Sequence, residues 1–188
     1  MKRAVVKIKG IAPYSQRRYI PDERKPKESY DDYERRIWRK GMSCDEKDVW
    51  FIPPMCFKNS LACAAQFLRI RIPGRDRSEY TKHFRAGVLV TDGLSLKVKR
   101  EKAKAIWLHV PSNGRTGGTT RVEKCFPICD KWGGTVTYHI LDETITKDIF
   151  LRVLKESGNI IGLGFFRPER GGYYGRFVVE SLKWIDVD

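Results

Sequence analysis

Between Ile161 and Phe177 the chain reads IGLGFFRPERGGYYGRF, directly ahead of an alternating segment that predicts the last strand. Gly162, Gly164, Gly171, Gly172 and Gly175 make this a glycine loop. Such a backbone can adopt positive φ or approach a ligand closely, which side-chain-bearing residues resist. Arg167, Arg170 and Arg176 supply planar donors suited to phosphate. Phe166, Tyr173 and Tyr174 offer faces on which bases stack, whereas strand alternation assigns Phe165 and Phe177 to core packing. One short segment therefore holds the parts needed to grip a nucleic-acid strand.

The charge balance points the same way. The 188 residues carry 37 Lys and Arg against 23 Asp and Glu, a formal net charge of +14. An excess of that size favours a polyanionic partner. A membrane fits less well, because no apolar run approaches the ~20 residues of a spanning helix. MKRAVVKIKG at the start has no apolar stretch of a signal peptide, so a cytoplasmic protein is expected. Cys44, Cys56, Cys63, Cys125 and Cys129 are odd in number and irregular in spacing, as for free thiols in a reducing compartment. Cys125 and Cys129, with His109 and His139, are a conceivable metal set, and Asp142 with Glu143 a second that lacks a third carboxylate nearby in sequence. The cysteine spacing is not that of a zinc knuckle, so neither metal nor cofactor is expected.

Periodicity lays out the elements. Arg3 to Ile11 alternate, with Ala4, Val6 and Ile8 on one face and Arg3, Lys7 and Lys9 on the other: a strand with one buried and one basic side. Ile11 to Lys27 reads as a proline-interrupted basic loop carrying Arg17 and Arg18. Ser29 to Asp32 resembles a capping box, opening a helix from Tyr30 to Lys40 in which Asp31 with Arg35 and Asp32 with Arg36 have pairing distance along the helix. A strand at Val49 to Ile52 precedes a helix from Met55 to Arg69, with Lys58 near its start, where amides favour an anion. Basic segments containing Lys82, His83 and Arg85, and later Arg115 and Arg121, then alternate with strands near Val88 to Val90, Leu94 to Val98 and Ile106 to Val110. Gly134 to Leu141 is a further strand, and a helix follows from Ile145 or Thr146 to Ser157, with Gly158 just past its end. The last strand is expected from Tyr174 to Trp184.

With no internal repeat and no linker, residues 1–188 read as one domain, with a basic strand-rich insertion over 71–125. Without the insertion, the order approximates β-α-β-β-α-β. The fold class is α+β, ferredoxin-like (RRM-like): an antiparallel sheet, two helices covering one face, the other face open. RNA-recognition folds of this layout bind on that open face.

Three segments together resemble the RAMP superfamily, the CRISPR-associated RNA-binding proteins with ferredoxin-like cores. VKIKGIAPYSQ (Val6 to Gln16) resembles the family's opening strand and loop. WFIPPMCFKNSLACAAQFL (Trp50 to Leu68) is similar to the strand, Pro-containing turn and helix of the effector-backbone subunits. Ile52, Pro53 and Lys58 match there, while Pro54 and Asn59 stand where glycines would be. GLGFFRPERGGYYGRF resembles the glycine-rich loop before the family's last strand. The resemblance implies a subunit that binds guide RNA along a sheet face, associates with itself or with CRISPR-type effector subunits, and carries a "thumb" hairpin within 71–125. A looser resemblance to phage or prophage chains implies a single-stranded DNA-binding protein or an inhibitor that mimics a CRISPR subunit.

Binding asks for positive charge, aromatic platforms and adaptable backbone, and all are present. The expected contacts are Lys7, Lys9, Arg17, Arg18, Lys58, Lys82, His83, Arg85, Arg115, Arg121, Phe166, Arg167, Arg170, Tyr173, Tyr174 and Arg176. An enzyme would need a nucleophile with a base, an acid-base pair or metal ligands. His83, in YTKHFR, and the loop tyrosines are the candidates for a metal-independent endoribonuclease. No catalytic residue is assigned, and non-catalytic binding of single-stranded RNA is the principal expectation.

Overall fold

A computed structural model describes residues 1–75, 77–111 and 120–187. In chain order the elements are strand β1 (Lys2–Gly10), the short β2 (Tyr14–Ser15), helix α1 (Tyr30–Ile37), β3 (Val49–Ile52), α2 (Pro54–Leu68), α3 (Thr81–Ala86), β4 (Val88–Val90), β5 (Leu94–Lys99), β6 (Lys104–Pro111), β7 (Arg121–Cys129), β8 (Gly133–Ile140), α4 (Lys147–Glu156) and β9 (Phe177–Asp186). The main sheet is antiparallel, in the order β4-β8-β1-β9. β1 leads through α2 to β4, and β8 leads through α4 to β9. Two interleaved crossovers in one antiparallel sheet make the ferredoxin-like arrangement that the order of elements predicts.

Alternation decides which face of the sheet is covered. Ala4, Val6 and Ile8 of β1 and Val136, Tyr138 and Ile140 of β8 are buried, and α2 and α4 pack over them with Phe57, Leu61, Phe150, Val153 and Leu154. Each such large side chain contributes about 1.5–3 kcal/mol on full burial. Phe150 sits at the centre, its ring 5.3 Å from Tyr138 and 5.5 Å from Trp184. Small residues let α2 approach the end of α4 closely enough for the Ser60 and Ser157 hydroxyls to hydrogen-bond at 2.9 Å.

β9 departs from the expected strand. It begins at Phe177 rather than Tyr174, and its register against β1 shifts between Lys7 and Ile8, which face Ser181 and Val179 and leave Glu180 as an extra residue. This bulge reverses the alternation. Phe177 and Val179 turn toward the core before it, Leu182 and Trp184 after it, and Lys183 is exposed. α4 also ends differently. Gly158 does not terminate it; the helix widens into a π-helical turn over Ser157–Ile161 and stops at Gly162, whose φ is 74°.

The stretch 71–125 divides among three sheets. β4 lies in the main sheet. β5 pairs with β3, and β6 pairs with β7 in a second sheet of order β2-β7-β6. The expected loop tip at 112–119, with Arg115, lies outside the described residues.

A buried ion pair ties this second sheet to α1. Arg17 donates from both terminal nitrogens to Glu34, at 2.8 and 3.0 Å, and its Nη1 also donates to the Cys125 carbonyl at 2.8 Å. The Cys125 amide donates to Glu34 in turn. Glu34 is 1% exposed. Arg17, expected to meet nucleic acid, is thus consumed inside the protein. The pairs expected along α1 do not form either. The helix ends at Ile37 and tightens into a 3-10 turn over Trp38–Gly41. Arg36 instead pairs with Glu28 at 2.7 Å, and Arg35 lies over the Trp107 ring at 5.7 Å. Tertiary partners outbid the weak gain of a surface pair one helical turn away, a few tenths of a kcal/mol. Ser29 caps the helix as expected, its hydroxyl accepting from the Asp32 amide.

Glu34→Ala leaves the guanidinium of Arg17 half-buried without its counter-charge. Unfolding in urea should show a loss of about 3–5 kcal/mol, and the pair Arg17→Met with Glu34→Leu should recover part of it.

Candidate nucleic-acid interface

The face of the main sheet away from α2 and α4 has no described helix over it. Strand register places its side chains in rows. Leu89, His139, Arg3 and Ile185 form one row, and Thr137, Val5 and Lys183 the next. Thr135, Lys7 and Ser181 follow, then Lys9 beside Val178. Residues two apart on a strand are about 6.8 Å apart and neighbouring strands about 4.8 Å apart, so Arg3, Lys7, Lys9 and Lys183 form a compact cationic lattice. Lys7 is partly neutralised by Glu180, 3.0 Å away, a carboxylate that the bulge delivers. Arg3, Lys9 and Lys183 make no ion pair among the described residues. The lattice has no aromatic residue, because Phe177 and Trp184 turn inward. It suits phosphates rather than bases.

The glycine loop lies at the Lys9 end of the sheet. The Ile11 amide donates to the Arg176 carbonyl, the Phe165 amide to Ser15, the Gly175 amide to Pro13 and the Leu163 amide to Gly175, all between 2.7 and 3.0 Å. Of the two reasons expected for glycine in this loop, positive φ is the one that Gly164 and Gly175 show, and close approach of a ligand is not what requires them. Gly164 (φ 76°) faces the Ser15 carbonyl and the Tyr14 ring, and Gly175 (φ 77°) faces the Leu163 carbonyl, so a Cβ at either would collide with the protein itself. Positive φ and close self-approach account for these glycines.

That folding brings an aromatic group to the surface. Phe165 stacks on buried Phe126 at 5.0 Å with ring planes 22° apart, and Phe166 meets it edge-on at 4.5 Å. Phe165, expected in the core, is 39% exposed, while Phe177 is buried as expected. Tyr173 is 60% exposed, with Tyr174 half-buried 5.9 Å from it. Arg167 donates to Glu169 at 2.8 Å and to the Gly164 carbonyl, and Arg176 donates to the Asn159 carbonyl at 3.2 Å. Arg170 is exposed.

The remaining expected contacts lie elsewhere. Lys82, His83 and Arg85 belong to α3, which packs beside α2 in the helix layer, where Arg85 donates to Gln66 at 3.3 Å. Lys58 is half-buried on α2. Arg18 donates to the Lys40 carbonyl at 2.9 Å, and Arg121 to the His109 carbonyl. The structure therefore unites Lys7 and Lys9 with Arg3 and Lys183 on the sheet, and Phe166, Arg167, Arg170, Tyr173, Tyr174 and Arg176 in the loop. It brings neither group together with α3. Arg3, Lys183 and His139 were missed as site residues. Strand alternation flags Arg3 and His139, but Lys183 needs the bulge.

His83 is held by Asp142, Nδ1 to Oδ2 at 2.6 Å, with the two side chains 14% and 26% exposed. Partial burial alone would push the Asp142 carboxyl up. Hydrogen bonds from His83 and from Thr144 outweigh it and hold the group below its ordinary value. Burial pushes the thiols of Cys56 and Cys129 up and that of Cys125 to about 11, so these remain protonated and inert at neutral pH. Among the described residues no cluster of three or more His, Cys, Asp or Glu side chains is placed to hold a metal ion. Among the described residues no helix is long and apolar enough to cross a membrane.

No protein-family model and no curated protein matches the chain. Among solved structures, it is similar to the crystal structure of Cmr6 from Pyrococcus furiosus, at 14% identity and a TM-score of 0.49, covering 95% of this chain and 99% of that one. It is also similar to Cas6 in a product complex, at 13% identity and a TM-score of 0.35, covering 94% of this chain and 50% of that one.

The His83 contact carries a pH signature. A carboxyl held below its ordinary value contributes stability that is complete above the ordinary range, about pH 4, and is lost as pH falls through the lowered value. Asp142→Asn should melt below wild type at pH 7, and the gap should narrow from about pH 4 downward. Melts recorded from neutral to strongly acidic pH check this.

Proposed function

We propose that this chain holds single-stranded RNA without cutting it, as a RAMP-type subunit of a larger effector assembly. The observation that carries the reading is the sheet face with no described helix over it, on which Arg3 and Lys183 stand in adjoining rows and Lys9 two rows further along. Phosphates seat on these cations, and each one neutralised releases condensed counterions. The strand runs toward the Lys9 end, where Phe165 and Tyr173 stand at the surface. Aromatic faces stack on unpaired bases, which favours a single strand over a duplex.

RNA rather than DNA is supported by the resemblance of the opening strand, the Trp50 to Leu68 block and the glycine loop to the RAMP superfamily. Binding without cleavage is supported by the position of His83 on α3 in the helix layer, away from the cationic lattice. Sequence reading is weak in this arrangement. Lysine and arginine on a flat lattice meet phosphates, which are alike in every sequence.

Labelled single-stranded RNA should shift in a gel and remain intact; shortened product would overturn the non-catalytic reading. The triple change Arg3→Ala, Lys9→Ala and Lys183→Ala should weaken binding at least about tenfold and flatten the log–log salt dependence by about 2, at ~0.7 per phosphate contact. An unchanged slope would remove the sheet face from the site. Tyr173→Ala should cost about 1–3 kcal/mol of binding, the value of one stacked base, with the salt slope preserved.

A further inference from the structure

Helices α1 and α4 turn charged residues outward: Asp31, Asp32 and Arg35 on α1, and Lys147, Asp148, Arg152 and Lys155 on α4. Helix α2 does not. Between Lys58 and Arg69 it has no charged residue. Its outward positions are Met55, Asn59, Ala62, Cys63, Gln66 and Phe67, and Met55 and Phe67 are 55% and 60% exposed. In a chain with 32% charged residues, α2 carries a single charge, Lys58, and exposes Met55 and Phe67 at the two ends of a face that is otherwise small side chains and amides. So little charge on an outer face suits a surface that a partner covers.

The surroundings of α2 give this surface a shape. On one flank α3 is fastened to it: the Thr81 hydroxyl donates to the Ala65 carbonyl, and Arg85 to Gln66. On the other flank lies the glycine loop. There Cys56, Asn59 and Cys63 line a cavity of about 130 Å³ with Gly162, Leu163 and Arg167. The outer face of α2 is thus the floor of a groove about 18 Å long from Met55 to Phe67, at 1.5 Å per residue. Arg85 stands on one wall, and Arg167 and Arg170 on the other, where Glu169 pairs with Arg167 at 2.7 Å and Arg170 stays exposed.

We propose that this groove docks an amphipathic helix of a partner protein, an apolar stripe flanked by acidic side chains. The apolar floor takes the stripe and the basic walls take the acids, as in helix-in-groove recognition. Nucleic acid fits the floor poorly. It offers a thioether, a methyl, a thiol, amides and one aromatic ring, with half-buried Lys58 at its edge as the one cation of the helix. A second copy also fits poorly, since α1 and α4 present no apolar stripe between acidic rows and the net charge of +14 opposes close approach of copies. The groove lies on the helix layer and shares only the arginines of the glycine loop with the RNA path proposed along the sheet.

The probe is a fluorescein-labelled 16-residue helical peptide with leucines at helical spacing between glutamates, and a scrambled peptide of equal composition is the control. Fluorescence anisotropy should show the ordered peptide binding at least tenfold more tightly than the scrambled one. Met55→Glu with Phe67→Glu should reduce that affinity at least tenfold, with thermal melting and binding of labelled single-stranded RNA unchanged. Equal binding of both peptides, or unchanged peptide binding in the double variant, overturns the proposal. Loss of RNA binding in that variant would place nucleic acid in the groove. A dimer of the wild-type protein in ultracentrifugation that the variant abolishes would make a second copy the occupant. Either result overturns the proposal as well.

Discussion

Glu34 is a carboxylate buried to 1% exposure, and Arg17 meets it with two parallel hydrogen bonds. The pair also closes onto the Cys125 backbone, so one guanidinium joins the loop after β1, helix α1 and strand β7. The ferredoxin-like core alone would leave the β6–β7 hairpin attached through few contacts. The ion pair, with Phe126 stacked beneath Phe165 and Arg17 over the Phe126 ring, fixes the hairpin to the glycine loop. Phe165, one of the two surface aromatics proposed to hold bases, therefore rests on a hairpin that an interior electrostatic contact fixes.

The molecule separates its chemistry by layer. The sheet face is cationic and free of aromatic rings. The glycine loop at its end is aromatic, with arginines partly engaged by the protein. The helix layer carries the His83–Asp142 tie and the uncharged surface of α2. Charge on a flat lattice and stacking at one end divide a strand's two recognisable parts, phosphate and base, between two structural elements. The bulge at Glu180 links fold and site. It keeps Leu182 and Trp184 in the core, and it puts Lys183 and a moderating carboxylate on the open face.

Much of this was legible along the chain. Period-two alternation identified β1 and β8 with the correct buried sides, and period-3.6 apolar spacing identified α2 and α4, because burial imposes those periods directly. The order of elements then implied the interleaved crossovers. Errors arose where a residue's role depends on a distant partner. Arg17 looked like one more basic loop residue, yet its counter-charge lies 17 positions away on α1. The glycines looked ligand-facing, yet their close neighbours are Tyr14, Ser15 and Leu163. Arg35 and Arg36 looked paired within α1, yet Trp107 and Glu28 hold them.

The linear order of residues determined the periods, the surplus of positive charge and hence the ferredoxin-like plan, for these are local or summed properties that no contact can alter. Tertiary structure alone decided which cations stay free, which aromatics reach the surface and which side of α2 remains uncovered. Each of those depends on what stands within a few ångströms in space. Chain separation carries almost no information about that distance.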